Sequence, residues 1–243
     1  MTLAELLQRC QSYMDSVEAA DAAHDVSHVQ RVAANVAFLT HAEQANAWVT
    51  LPAAWLHDCV AVSKDSPLRA EGSRLAAQAA TEFLASLDYP AQLLPEVYHA
   101  IEAHSFSAAI PARSLEARIV QDGDRLDSLG AIGIARCLVV GGRLNRPLCS
   151  REDPFCEERE PDDSRYTLDH FYAKLLKLPD GMQTTAGRAE ATRRAGLMRD
   201  YLAQLRLELT GLGSESADED PRLHARPNGP APQGSAQKRT ARE

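Results

Sequence analysis

The chain has 243 residues and 26.5 kDa, enough for one large domain with a sizeable core. Its 44% hydrophobic and 25% charged residues exclude wholesale disorder, a collagen-like repeat and a disulfide miniprotein. With 26 basic against 34 acidic residues, the net charge of −8 leaves no broad cationic surface for a long nucleic acid or an anionic membrane, although small phosphorylated ligands stay open.

From Thr2 to about Leu209 the apolar residues recur at spacings of three and four, the helical period. Val29, Val32, Val36 and Leu39 form one such stripe. Further helices are expected over Trp48 to Val60, Arg69 to Leu87, around Leu93 to Ile101, and over Leu115 to Leu129. Three more follow over Ile132 to Val140, Leu168 to Leu176 and Gly187 to Leu209. Sustained alternation is scarce, and Pro52, Pro67, Pro90, Pro95 and Pro111 fall near proposed ends, so the fold class is all-α. Gly141 to Arg165 is rich in charge, Pro and Gly and reads as a lid or a mobile loop, with GGRLNR a turn. The domain is expected over 1–209. Residues 210–243 are expected to be a disordered tail, because they hold little apolar surface to offset the entropy of ordering. Five cysteines without a CxxC pair are read as reduced thiols. The N-terminus lacks a signal-peptide pattern and no stretch approaches the roughly 18 apolar residues of a membrane span, so the expected location is cytoplasmic.

The chemistry centres on histidine and aspartate. In AAWLHDCVAV, His57 and Asp58 lie in an apolar segment where a carboxylate is costly unless it is paired or binds a cation. At this point an ion pair beside a packed imidazole is the simpler account. His24 and His28 in HDVSHVQRV are four apart and share a face if that segment is helical. In RIVQDGDRLDSLG, Asp124 shares a stripe with Val120 and Ser128 and is the inward candidate, while Asp122 and Asp127 read as solvated helix faces. One His, a HisAsp pair and a distant Asp make a mixed nitrogen and oxygen set suited to a divalent ion.

Histidine, a HisAsp dipeptide about thirty residues on, and a distant Asp in a DRLD run resemble the HD-domain phosphohydrolase superfamily. The runs WLHDCVAVSKDSPLRAEGSRLAA, EAHSFS, EARIVQDGDRLDSLGAIGIAR, HFYAKLLKL and MQTTAGR extend the likeness over roughly 20 to 209, toward the small bacterial YedJ-like and YpgQ-like branch. The resemblance implies a single HD-type helical bundle holding one divalent metal ion (Mn, Ni, Mg, Co, Fe or Zn) on His28, His57, Asp58 and Asp124. It also implies hydrolysis of a phosphate ester or phosphoanhydride of a nucleotide or other small phosphorylated substrate. Asp58, Lys64 and His104 are the catalytic candidates; His24, Lys64 and Arg69 are the substrate-facing ones, the cations being suited to phosphoryl oxygens. His104 and His24 have the pKa range of proton shuttles, whereas His99, five residues from His104, reads as a surface or capping residue. Several HD branches carry an acidic residue three positions after the dipeptide, where this chain has Ala61. That departure motivates an alternative: a metal- and nucleotide-binding regulator without turnover. Trp48, Trp55 and Cys59 are expected in the core, Arg193 and Arg194 on a solvated face, and the oligomeric state stays open, with a homodimer one option.

Overall fold

Thr2 starts the first helix with a reciprocal cap: Glu5 N–H donates to Thr2 Oγ1 at 3.3 Å and Thr2 N–H donates to Glu5 Oε2 at 2.8 Å. Helix α1 (Leu3–Ser16) then buries Leu6, Cys10 and Met14, one per turn. The computed structural model describes residues 1–17, 26–60, 62, 71–105 and 108–210. His24, Ala61, Lys64, Arg69 and the expected tail beyond Thr210 lie outside the described residues.

The remaining helices are α2 (Val26–Ala42), α3 (Ala47–Leu56), α4 (Gly72–Ala85), α5 (Leu94–Glu102), α6 (Leu115–Leu126), α7 (Gly130–Arg143), α8 (Asp169–Ala173) and α9 (Thr185–Thr210). Short 3₁₀ turns cover Ala91–Leu93 and Leu175–Gly181. Among the described residues there is no strand, as the periodicity predicts, and no helix is long and apolar enough to cross a membrane.

Helix α3 is apolar on every face and therefore central; α1, α2, α4, α5 and α6 all pack on it. It carries Pro52 in its interior, which cannot donate to the carbonyl of Trp48 four residues back. Tyr89 supplies the missing donor, its hydroxyl reaching Trp48 O at 2.5 Å. Trp48 and Trp55 pack against the core, as expected. Helix α9 closes the bundle against α6 and α7.

Several boundaries differ from the sequence reading, two of them with structural consequences. Helix α3 stops at Leu56 rather than Val60, because Cys59 N–H turns back to Leu56 O at 3.1 Å. The Leu168 to Leu176 helix is one short turn, α8, followed by 3₁₀ structure. The charged stretch after α7 is cross-linked through aspartates. Asp153 accepts the N–H groups of Glu157, Glu158 and Arg159, and Asp169 accepts two donors from Arg159 and the N–H of Asp162.

Candidate metal centre

The early end of α3 shapes the site. On a continuing helix, neighbouring side chains diverge by about 100°. Here His57 and Asp58 lie in a turn, and the two side chains converge, His57 Nε2 lying 3.4 Å from Asp58 Oδ2. His57 is fully buried, and its Nδ1 donates to Ala54 O at 2.8 Å. Because a carbonyl can only accept, Nδ1 carries the proton and Nε2 a lone pair. That Nε2 is buried and has no hydrogen-bond partner.

His28, in the first turn of α2, brings a second imidazole to the same point. Its Nδ1 donates to Asp127 Oδ2 at 2.7 Å, which turns Nε2 toward Asp58 Oδ2 at 3.8 Å and Asp124 Oδ1 at 3.4 Å. Asp124 comes from the last turn of α6, which Ser114 starts by accepting the Ala117 N–H at 3.1 Å. One ligand atom each from His28, His57 and Asp58 lies within 4.8 Å of the others. A six-coordinate ion with bonds of about 2.1 Å holds its ligand atoms roughly 3 to 4 Å apart, so these spacings fit a divalent cation better than hydrogen bonds.

A third imidazole completes the cluster. His104 is buried just past the end of α5; its Nδ1 donates to Ile101 O at 2.6 Å and its Nε2 faces Asp58 Oδ1 at 3.6 Å. The ring meets His57 edge-on, with centroids 4.9 Å apart. Gln121 on α6 steadies this turn by donating to Ala103 O at 2.7 Å and accepts from Gln183.

Electrostatics in the cluster oppose burial. Burial alone would lower the His28 pKa, yet the carboxylates of Asp124, Asp127 and Asp58 push it up to about 9. His104 is raised against its burial by Asp58. His57 goes the other way, held low because burial outweighs its carboxylate neighbours. Asp124 resists the upward push of burial and stays well below the usual carboxylate range through His28, His57 and His104. A metal ion binding His28 Nε2 therefore competes with a proton.

Three of the four residues expected to hold metal, His28, His57 and Asp58, thus form one cluster, which Asp124 meets at His28 and His104 meets at Asp58. The structure corrects two readings of α6. Asp122 and Asp127 are both buried, not solvated. Asp122 accepts the N–H of Gln183 and the N–H and hydroxyl of Thr184, tying the start of α9 to α6. Asp127 holds His28, Arg31 and Arg136. Periodicity missed Asp127 because α6 ends one residue earlier, at Leu126. A correction also applies to Arg194, which donates to Leu126 O and Asn35 Oδ1, both at 2.8 Å, and so pins α9 to α6 and α2; Arg193 is exposed, as expected. His99 lies apart, donating to Glu102 at 3.0 Å and accepting from Arg113 N–H at 3.0 Å. Cys59 is a buried hydrophobe whose thiol donates to Ala76 O at 3.4 Å and is pushed by burial up to about 12, an inert state.

Comparison with known proteins agrees with this geometry. The HD domain family matches residues 25–129, a span that contains all four candidate ligands, His104 and Asp127. The uncharacterized protein YpgQ of Bacillus subtilis (strain 168) is 31% identical over 198 residues, which cover 80% of this chain and 88% of that protein. The crystal structure of B. subtilis YpgQ in complex with ADP superposes with a TM-score of 0.69 at 28% identity, over 88% of this chain and 100% of that one. An HD-superfamily hydrolase from Bacillus thuringiensis gives a TM-score of 0.69 at 31% identity, over 86% of this chain and 100% of that one. Likeness at this level, running through the helices that carry the imidazoles and carboxylates, makes the chain a member of the HD-domain superfamily and of its YpgQ-like branch.

Proposed function

We propose that the protein is a metal-dependent phosphohydrolase that cleaves a phosphate ester or phosphoanhydride bond in a nucleotide or a related small phosphorylated molecule. The observation that carries this reading is the buried lone pair of His57 Nε2, left without a hydrogen-bond partner beside the Asp58 carboxylate. A buried polar atom without a partner is costly, and a cation relieves that cost. His28, His57, Asp58 and Asp124 are the residues that would hold the ion. When bound, a divalent ion polarises a phosphoryl oxygen and lowers the pKa of water.

The chain's own groups account for the rest. His104 Nε2 faces Asp58 Oδ1 at 3.6 Å and that carboxylate raises its pKa against burial, which suits the ring to give a proton to a leaving oxygen as general acid. Ala61 offers no acidic side chain for the opposite transfer, so the neutral form of His104 is the candidate proton acceptor. Lys64 and Arg69, assigned from the sequence, are the candidates to neutralise phosphoryl charge, and His24, from the same reading, is the further substrate-binding candidate. The nucleotide class draws support from the ADP complex of the relative YpgQ and from a net charge that disfavours long polyanions. A cytoplasmic setting, read from the sequence, accords with such a substrate.

A screen of divalent ions against nucleoside mono-, di- and triphosphates and simple phosphate esters tests the reading. Hydrolysis that needs added metal and is lost on chelation is the expected result. A full rate in chelator-stripped protein overturns it. Nucleotide-dependent thermal stabilisation with metal but no product, across the whole panel, replaces it with the regulator that Ala61 suggests.

A further inference from the structure

The three imidazoles of the cluster are oriented by two different devices. His57 and His104 each lie at the C-terminal end of a helix, where the last carbonyls have no partner inside the helix. Each ring turns back to the carbonyl three residues earlier, Ala54 O or Ile101 O. Those acceptors belong to the backbone, so no substitution removes them. His28 lies at the opposite kind of end. In the first turn of a helix such as α2 the backbone groups that find no partner within the helix are N–H donors, which cannot accept from a ring N–H. Its acceptor must come from elsewhere in the chain, and it is Asp127, 99 residues away.

We infer that Asp127 is the positioning residue of the centre: by accepting the His28 Nδ1–H it fixes the ring so that Nε2 faces Asp58 and Asp124. This rests on the metal-centre reading above and deepens it. The surroundings of Asp127 are built for the task. The side chain is 2% exposed, and Oδ2 takes His28 at 2.7 Å. Arg31, one turn along α2 from His28, donates to Oδ1 at 2.6 Å and to Oδ2 at 3.0 Å. Arg136 of α7 donates to Oδ2 at 2.7 Å and to the Asp127 carbonyl at 3.1 Å. Two guanidinium groups from different helices hold the carboxylate, and the carboxylate holds the ring. A charged acceptor behind a ligating imidazole sets both its tautomer and its direction.

A simple staple joining α2, α6 and α7 would need the same arginines, so the test separates the two roles. Mn²⁺ binding to the full chain is measured by titration calorimetry for wild type, Asp127→Asn, Asp127→Ala and Arg136→Ala, alongside thermal melting of each. Both Asp127 variants are expected to bind Mn²⁺ about 10- to 100-fold more weakly, with kcat largely recovered at saturating Mn²⁺. Arg136→Ala is expected to melt lower yet keep its Mn²⁺ affinity within about threefold, since the His28 hydrogen bond is retained. Asp127 variants that melt lower but bind Mn²⁺ like wild type overturn the inference and leave a staple. Wild type that binds no Mn²⁺ overturns the metal-centre reading itself. Should neither Asp127 variant fold, nitrogen NMR of the Zn²⁺-loaded wild type decides: a proton on His28 Nδ1 supports the assignment, and a proton on Nε2 overturns it.

Discussion

Asp169 and Asp58 are carboxylates in two regions of the same chain, and the chain treats them in opposite ways. Around Asp169, fully buried, N–H donors fill the oxygens: Arg159 at 2.5 and 2.8 Å and the Asp162 amide at 2.7 Å. Among the described residues, three imidazole nitrogens lie 3.4 to 3.8 Å from the Asp58 oxygens, too far for strong hydrogen bonds, and the His57 nitrogen has no hydrogen-bond partner. The first arrangement is complete without any ligand and organises the segment before α8. The second is spaced for something larger than a proton. Burial alone does not mark a functional carboxylate; the distance to its neighbours does.

Four perturbations sharpen the contrast. Asp58→Ala should reduce hydrolysis and Mn²⁺ affinity together, by more than the roughly hundredfold that an outer partner of a metal ligand commands, while the melting temperature of chelated protein changes little. Asp169→Ala should do the reverse. Loss of one partner from a buried ion pair costs about 3 kcal/mol, or roughly 10 °C in melting temperature, with hydrolysis per folded molecule retained at low temperature.

The third perturbation is pH. His28 has a folded pKa of about 9 against 6.5 when unperturbed, so its stabilisation is fully present below pH 6.5 and is lost as pH rises through 9. His104 adds in the same direction, whereas His57, held low, changes only below pH 6.5. The chelated protein should therefore lose up to about 3 kcal/mol between pH 6.5 and 9, read as a falling melting temperature. Mn²⁺ should bind more tightly over the same range as its competing proton leaves. The smallest effect belongs to Gly187→Ala, whose added Cβ would lie 2.5 Å from Asp122 Oδ2 and 2.6 Å from Thr184 Oγ1. Disturbing that filled carboxylate should cost about 2 kcal/mol in a denaturant melt and leave Mn²⁺ affinity unaltered.

Much of this was legible in the residues. The stripe Val29, Val32, Val36 and Leu39 is buried as the period predicts, and Asp124 faces the centre as its place beside Val120 suggests. What escaped depends on partners remote in sequence. Asp127 and Asp122 look like surface carboxylates until His28, Arg31 and Arg136, or Gln183 and Thr184, are folded against them. One signal was present for Asp127: a His and an Arg three apart on α2 both present donors on one face and call for a common acceptor. The convergence of His57 and Asp58 escaped for another reason, because an apolar run gives no sign of where α3 stops.

Gly123, next to Asp124, lies where α6 meets α2. A methyl group there would collide with Val36 Cγ2, two turns along α2 from His28, and would crowd the Val36 amide nitrogen at 3.3 Å. The two helices consequently touch backbone to side chain, with the stiff, β-branched Val36 in the contact and Asn35 Nδ2 donating to Gly123 O at 3.0 Å beside it. In the proposed metal centre the opening between His28 and Asp124 would act as a caliper of narrow range, so that ionic radius as well as charge would select the cation.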